Sequence, residues 1–223
     1  MRDLHPWDLT PSEAMAMQDR LRGELVLRWD GRPVTTVGGV DVSVKTGAAH
    51  CAIVVFSYPA LEPLEAVTAD APLVFPYVPG LLTYREGPAV LAAWERLRRL
   101  PDLVMFDGHA TAHPRGIGLG AEMGLWLERP SIGVAKSRFI GRHAEPGSRR
   151  GATTPLYADD DPPRVIGTVV RTRDRTKPVY VSPGHLIDLA HAVEFTLACC
   201  TRYRLPEPTR WAHQVAGGKE LRT

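Results

Sequence analysis

The sequence predicts an α/β domain, one β-sheet of mixed direction with helices packed against it. Three observations carry this. Residues 37–44 and 52–58 are rich in β-branched residues and are separated by the turn Thr46-Gly47-Ala48, which sets up an antiparallel hairpin. After the hairpin, helix-like and strand-like patterns alternate towards the C-terminus. The chain has 223 residues, of which 44% are hydrophobic and 23% charged, enough for one well-packed domain and too few for two full ones.

The elements follow in order. Thr10-Pro11-Ser12-Glu13 reads as a capping box with proline at the first helical position, and Met17, Leu21 and Leu25 continue at helical spacing. That helix fades by Asp30-Gly31-Arg32-Pro33. After the hairpin, residues 64–69 supply a third strand, and residues 72–79 form a loop restrained by its prolines. Gly87-Pro88 is expected to open a second helix, with Val90, Leu91, Trp94 and Leu97 on one face and Pro101 beyond its end. Residues 103–106 form a short apolar strand closed by Asp107-Gly108; residues 120–127 read as helix and residues 131–135 as strand. Residues 144–163 dissolve into Pro, Gly, Asp and Arg, the composition of a long loop or insertion. Strands resume at 165–170 and 179–182. A helix carrying Ile187, Ala190, Val193, Phe195 and Leu197 follows Gly184, and a short last helix starts near Thr209. Antiparallel strands first and alternating elements afterwards fit a ribonuclease H-like arrangement, a single domain over residues 1–223.

Composition narrows the class. No apolar run approaches the ~20 residues needed to span a bilayer. The opening Met1-Arg2-Asp3-Leu4-His5-Pro6-Trp7 lacks the apolar core of a signal peptide, so a soluble cytoplasmic protein with no membrane partner is expected. Cys51, Cys199 and Cys200 are odd in number and two are adjacent, which gives neither a disulfide framework nor a CxxC metal pair. A net charge of +2 permits a nucleic-acid partner without demanding one. Arg96, Arg98 and Arg99, the pair Arg149 and Arg150, and the run Arg171, Arg173, Arg175 and Lys177 are each a phosphate-contacting patch or a solvated face.

Several residues carry chemistry. Asp41 lies inside an apolar strand, where a carboxylate is costly unless paired or bound to metal, and Asp107 ends another. On neighbouring strands the two make a hard oxygen site suited to magnesium, able to activate water and steady a phosphate under attack. Apart, one faces solvent at an edge and the other makes a turn. Glu86 adds a third carboxylate or caps the second helix. His109 and His113 have zinc-like spacing, but Gly108 and Pro114 bracket them and Ala110 stands where a metalloprotease needs glutamate. Arg115-Gly116-Ile117-Gly118-Leu119-Gly120 is a glycine-rich approach to a helix, a phosphate cradle or a flexible turn. Lys136 ends a strand where it can reach a phosphate or simply meet solvent. Pro76-Tyr77-Val78-Pro79-Gly80 stiffens an aromatic residue, which suits a wedge between bases or a tyrosine packed under its own loop.

Taken in order, these segments resemble endonuclease V, chiefly its bacterial members, over nearly the whole chain. The matching runs are Gly39-Val40-Asp41-Val42, Pro76-Tyr77-Val78-Pro79-Gly80-Leu81-Leu82, Tyr84-Arg85-Glu86, Pro101-Asp102-Leu103-Val104, Asp107-Gly108-His109, His113-Pro114-Arg115, Ile132-Gly133-Val134-Ala135-Lys136 and residues 203–212. The resemblance implies cleavage of the second phosphodiester bond on the 3′ side of deoxyinosine, leaving a 3′-hydroxyl and a 5′-phosphate. It implies Mg²⁺ as cofactor, with Mn²⁺ substituting. The implied partner of a monomeric enzyme is DNA containing deoxyinosine or other deaminated bases. By the same resemblance Asp41, Asp107 and Glu86 hold the metal, Glu86 directly or through water. His213 orients water there, and Lys136 faces the scissile phosphate. Pro76, Tyr77, Val78 and Pro79 form the wedge, Gly80, Leu82 and Gly108 line the base pocket, and His113 and Arg115 contact phosphate. The chain departs from the family's usual residues at Ala110, Thr111, Gly116 and Glu122. Inosine-containing RNA as substrate and a non-catalytic lesion-binding module are the two rival readings.

Overall fold

The computed structural model describes residues 1–45 and 47–221; Thr46 of the expected hairpin turn, Arg222 and Thr223 lie outside the described residues. Among the described residues five α-helices and eight strands run in the order α1 (Pro11–Leu21), β1 (Thr36–Lys45), β2 (Ala48–Ser57), β3 (Pro63–Pro72), α2 (Leu82–Trp94), β4 (Leu103–Phe106), α3 (Leu119–Leu127), β5 (Ser131–Ala135), β6 (Thr153–Tyr157), β7 (Val165–Val170), β8 (Val179–Pro183), α4 (Leu189–Ala198) and α5 (Glu207–Ala216). All eight strands share one sheet in the order β3-β2-β1-β4-β5-β8-β7-β6. β1, β4 and β5 are parallel to one another at its centre, and every other pairing is antiparallel. This is the ribonuclease H-like arrangement expected.

Local chemistry explains most boundaries. At the start of α1 the Thr10 backbone N–H donates to Glu13 Oε2 at 2.8 Å and the Glu13 N–H donates to Thr10 Oγ1 at 3.3 Å, so both halves of the capping box form. After Leu21 the chain tightens into a single 3-10 turn, Arg22–Glu24, which ends the helix sooner than the apolar spacing to Leu25 indicates. Two expectations need correction. α2 begins at Leu82, not at Gly87-Pro88, so Pro88 sits inside the helix and Glu86 lies in its second turn instead of capping its end. Lying past the first turn, Pro88 forgoes the bond that an N–H there would give to the Tyr84 carbonyl. Residues 144–163 are not a plain loop either, because Thr153–Tyr157 pairs with β7 as the edge strand. Proline at position 155 suits an edge, where one strand face has no ladder to complete.

Alternation along β2 divides the core. Ala49, Cys51 and Ile53 point to the side covered by α2 and α3, with Val40, Ala89, Ala93 and Phe106. Ala52, Val54 and Phe56 point to the other side, under Ala212, Val215 and Ala216 of α5. Further along the sheet Leu103, Met105, Ile132, Val134 and Val181 pack with Ile187, Ala192 and Cys199 around α4. The three cysteines are free and buried, behaving as small apolar residues. Among the described residues no helix is long and apolar enough to cross a membrane.

Candidate active site

The two aspartates meet because two parallel strands are in register. Val37 pairs with Leu103 and Val40 with Phe106, so the next residue of each strand is Asp41 and Asp107. The Asp107 N–H donates to the Val40 carbonyl at 3.1 Å, continuing the ladder by one rung. Position 39, two residues before Asp41 on the same face, must be glycine. A Cβ there would lie 2.1 Å from the Pro208 carbonyl group, where the first turn of α5 rests on β1. That contact places the next turn of α5 above Asp41, and His213 Nδ1 lies 3.1 Å from Asp41 Oδ2.

One ligand atom each from Asp41, Asp107 and His213 lie within 4.8 Å of one another. Lys136, just past the end of β5, brings its Nζ to 2.5 Å from Asp107 Oδ2. The contact is a close ion pair between the ammonium and the carboxylate. Burial first, and the Asp107 charge second, push the Asp41 carboxyl up to about 6. Glu86, reaching in from α2, is pushed up to about 8 by burial and then by the charge of Asp41. Carboxylates held this close in a half-dry site repel one another, and a bound cation relieves the repulsion. The donor set therefore fits a divalent metal. It holds His213, which the sequence cast as orienting water, and it does not include Glu86, whose place beside it suits a contact through water.

Next to this cluster a cleft of about 370 Å³ opens between the proline loop and the segment after β4. It is lined by Tyr77, Val78, Pro79, Gly80, Leu82 and Gly108, six of the seven residues named for wedge and pocket. Pro76 is absent from the lining. Sequence reasoning missed His109, Thr83 and the wall Ser137-Arg138-Phe139. Tyr77 is 71% exposed at the rim, so it is not packed under its own loop. His109 Nε2 donates to the Ser137 carbonyl at 3.0 Å, and burial keeps the ring neutral by lowering its pKa. Its Nδ1 and Thr83 Oγ1 are buried without a hydrogen-bond partner. Unpaired buried polar atoms are costly, and two of them face this cleft.

Two assignments change. His113 and Arg115 are not free phosphate contacts. His113 is 6% exposed and pushed down to about 4 by burial and by Arg115, which makes it a neutral ring in the floor of the cleft. Arg115 donates to the Gly80 carbonyl at 2.7 Å and to Gln18 Oε1 at 2.6 Å, so its guanidinium supports the cleft from behind. The basic clusters divide in the same way. Arg96 is bound to the Thr68 carbonyl, Arg150 to the carbonyls of Leu197 and Cys200, and Arg171 to Glu145 and three carbonyls. Arg175 and Lys177 remain exposed and share a second groove with Lys136, Ser137 and Arg138. The departures Ala110, Thr111, Gly116 and Glu122 line no part of the first cleft.

A cation held by carboxylates can promote phosphodiester hydrolysis, and Asp41 within β1, Asp107 after β4 and Lys136 after β5 supply the carboxylates and a lysine. That chemistry on this sheet defines a metal-dependent nuclease. The endonuclease V family model matches residues 19–214. The endonuclease V of Alkalilimnicola ehrlichii is 46% identical over 99% of this chain and 97% of its own length. The crystal structure of endonuclease V from Streptomyces avermitilis is 41% identical, covers 95% of this chain and 93% of its own, and superposes with a TM-score of 0.90. At 24% identity, Ciona intestinalis endonuclease V in complex with a 23mer DNA containing an inosine shares the fold, with a TM-score of 0.81 over 94% of this chain and 98% of its own. The chain belongs to the endonuclease V family, and it is a metal-dependent DNA repair endonuclease, a hydrolase of phosphodiester bonds.

Proposed function

We propose that the protein hydrolyses the second phosphodiester bond 3′ to deoxyinosine, leaving a 3′-hydroxyl and a 5′-phosphate. The observation that carries this reading is the adjacency of the two sites. Asp107 belongs to the metal-ligand cluster and Gly108 lines the cleft, so a base held in the cleft leaves a neighbouring backbone phosphate beside the carboxylates. Hypoxanthine lacks the exocyclic amine of adenine and guanine, and a cleft walled by backbone groups can select it by hydrogen bonding and by excluding that amine. Inosine also pairs weakly, so turning it out of the duplex costs less.

Each residue has a defined part. Asp41 and Asp107 hold the cation with His213, and Glu86 reaches it through water. The ion is Mg²⁺, with Mn²⁺ able to substitute because one imidazole joins the carboxylates. Bound there, it supplies positive charge to the phosphate and lowers the pKa of water. Lys136 adds a fixed cation on the other side of Asp107. Tyr77, held by Pro76 and Pro79, fills the gap left by the displaced base. The protein works as a monomer in the cytoplasm.

End-labelled duplexes carrying one deoxyinosine, incubated with and without Mg²⁺, test this directly. A Mg²⁺-dependent nick one nucleotide beyond the inosine is expected. Cleavage of a matched inosine RNA in preference to the DNA would transfer the site to an RNA substrate, and binding without cleavage of either would make the protein a lesion-binding module.

A further inference from the structure

Behind the cleft, away from the metal cluster, a chain of buried polar side chains runs from the N-terminal segment to the cleft wall. The peptide joining Gly80 and Leu81 is pinned at both ends. Its carbonyl accepts from Arg115 Nη2 at 2.7 Å, and its N–H donates to the Val78 carbonyl at 2.9 Å. Gly80 adopts φ +83°, and a Cβ there would lie 2.8 Å from Arg115, so the arginine and the wall are in direct contact. Arg115 in turn donates through Nε to Gln18 Oε1 at 2.6 Å, and Gln18 Nε2 donates to Glu122 Oε2 at 3.3 Å. Glu122 Oε1 meets His5 Nε2 at 3.1 Å. Gln18 and Glu122 are both 0% exposed.

A buried amide between a cation and an anion has one good orientation, oxygen to the arginine and nitrogen to the carboxylate. Without Glu122 the arginine still calls for the amide oxygen, but the buried NH₂ has lost its acceptor. Gln18 is then drawn towards another partner for that NH₂, which loosens its bond to Arg115 and the hold of the guanidinium on Gly80. We propose that Gln18 and Glu122 are positioning residues for base selection: through Arg115 they fix the Gly80–Leu81 peptide in the wall of the cleft. This rests on the reading of that cleft as the base pocket. It gives Glu122, a departure from the family's usual residues, a role at a site it does not touch.

The test compares kcat/KM on a deoxyinosine duplex with that on an undamaged duplex for Gln18→Leu, Glu122→Ala and Glu122→Gln. Melting temperature and Mg²⁺ affinity by calorimetry are measured alongside. Displacing a recognition group by a fraction of an ångström costs on the order of tenfold, so Gln18→Leu and Glu122→Ala are expected to lower the discrimination ratio by about that factor, mainly through KM on inosine. Mg²⁺ affinity stays at the wild-type value. Glu122→Gln, which keeps an acceptor for Gln18, restores discrimination to within about twofold. Gln18→Leu removes no charge and serves if Glu122→Ala does not fold. Wild-type discrimination in folded Gln18→Leu would overturn the proposal, and so would a parallel fall in Mg²⁺ affinity, which signals general loosening. Leu82→Trp, which fills the cleft, separates the two readings. If it abolishes discrimination while Gln18→Leu does not, the relay fails and the pocket stands. If it too leaves discrimination intact, the pocket reading falls and the proposal with it.

Discussion

The metal cluster and the cleft beside it share the segment Asp107-Gly108 but are built on opposite electrostatic plans. At the cluster Asp41 and Glu86 are driven up to about 6 and about 8 by burial and by the charge of neighbouring carboxylates. In the cleft the histidines are held neutral and the wall is stiffened by proline. The first region crowds carboxylates beside Lys136 and His213, which suits a bound cation. The second keeps its histidines neutral and holds no carboxylate in its lining, so that a base is judged by shape and by hydrogen bonds. Reactivity and recognition can therefore be damaged one at a time.

The largest effect belongs to the cluster. Asp41→Asn or Asp107→Asn should cut nicking by about a thousandfold or more, as expected when a principal electrostatic element of the transition state is lost. Both variants should fold, which circular dichroism would check. Turnover near the wild-type rate would break the assignment of the metal site.

The second prediction concerns pH. Asp41 and Glu86 titrate higher in the metal-free folded protein than their ordinary values, so folding retains their protons, and stability is full below about pH 4 and is lost as pH rises through about 6 and then 8. The metal-free melting temperature should fall over that range, and Mg²⁺ should flatten the fall. Mg²⁺ binding should also release protons near pH 7, visible as a calorimetric heat that depends on the buffer. A metal-free melting temperature flat from pH 5 to 8 would contradict the crowding of carboxylates described here.

Tyr77→Ala sharpens the comparison from the other side. An aromatic surface against a base is worth a few kcal/mol at most, so preference for inosine over undamaged sites should drop by about tenfold while Mg²⁺ affinity holds. The smallest expected effect is at the second groove. Replacing Arg175 and Lys177 by alanine should make the plot of log affinity against log salt shallower by about one to two, with little change in rate at saturation. An unchanged slope would mean that this groove meets no phosphate.

The fold was legible wherever local chemistry decides it. The hairpin, β4, β5 and β7 follow from runs of β-branched and apolar residues, and the start of α1 from its capping box. Pro88 misled because proline commonly opens a helix, whereas here it sits within one that starts at Leu82. β6 stayed hidden because an edge strand needs no apolar face, and Thr153, Pro155 and Tyr157 are at most partly buried. At the site, Asp41, Asp107 and Lys136 could be listed from the sequence, but their meeting depends on the register of β1 and β4. The inward turn of His113 and Arg115 could not be read at all, because their partners, Gly80 and Gln18, lie 35 and 97 positions away from Arg115.

The separability of chemistry and recognition is tested most directly in one experiment. Binding of inosine and undamaged duplexes by anisotropy, and nicking across a Mg²⁺ series, would be followed in parallel for wild type, Asp107→Asn and Tyr77→Ala. Asp107→Asn should lose cleavage and Mg²⁺ response yet keep its preference for the inosine duplex, and Tyr77→Ala should lose preference yet keep its Mg²⁺ response. Preference and Mg²⁺ response lost together in both variants would show that the two regions act as one site and would contradict this account.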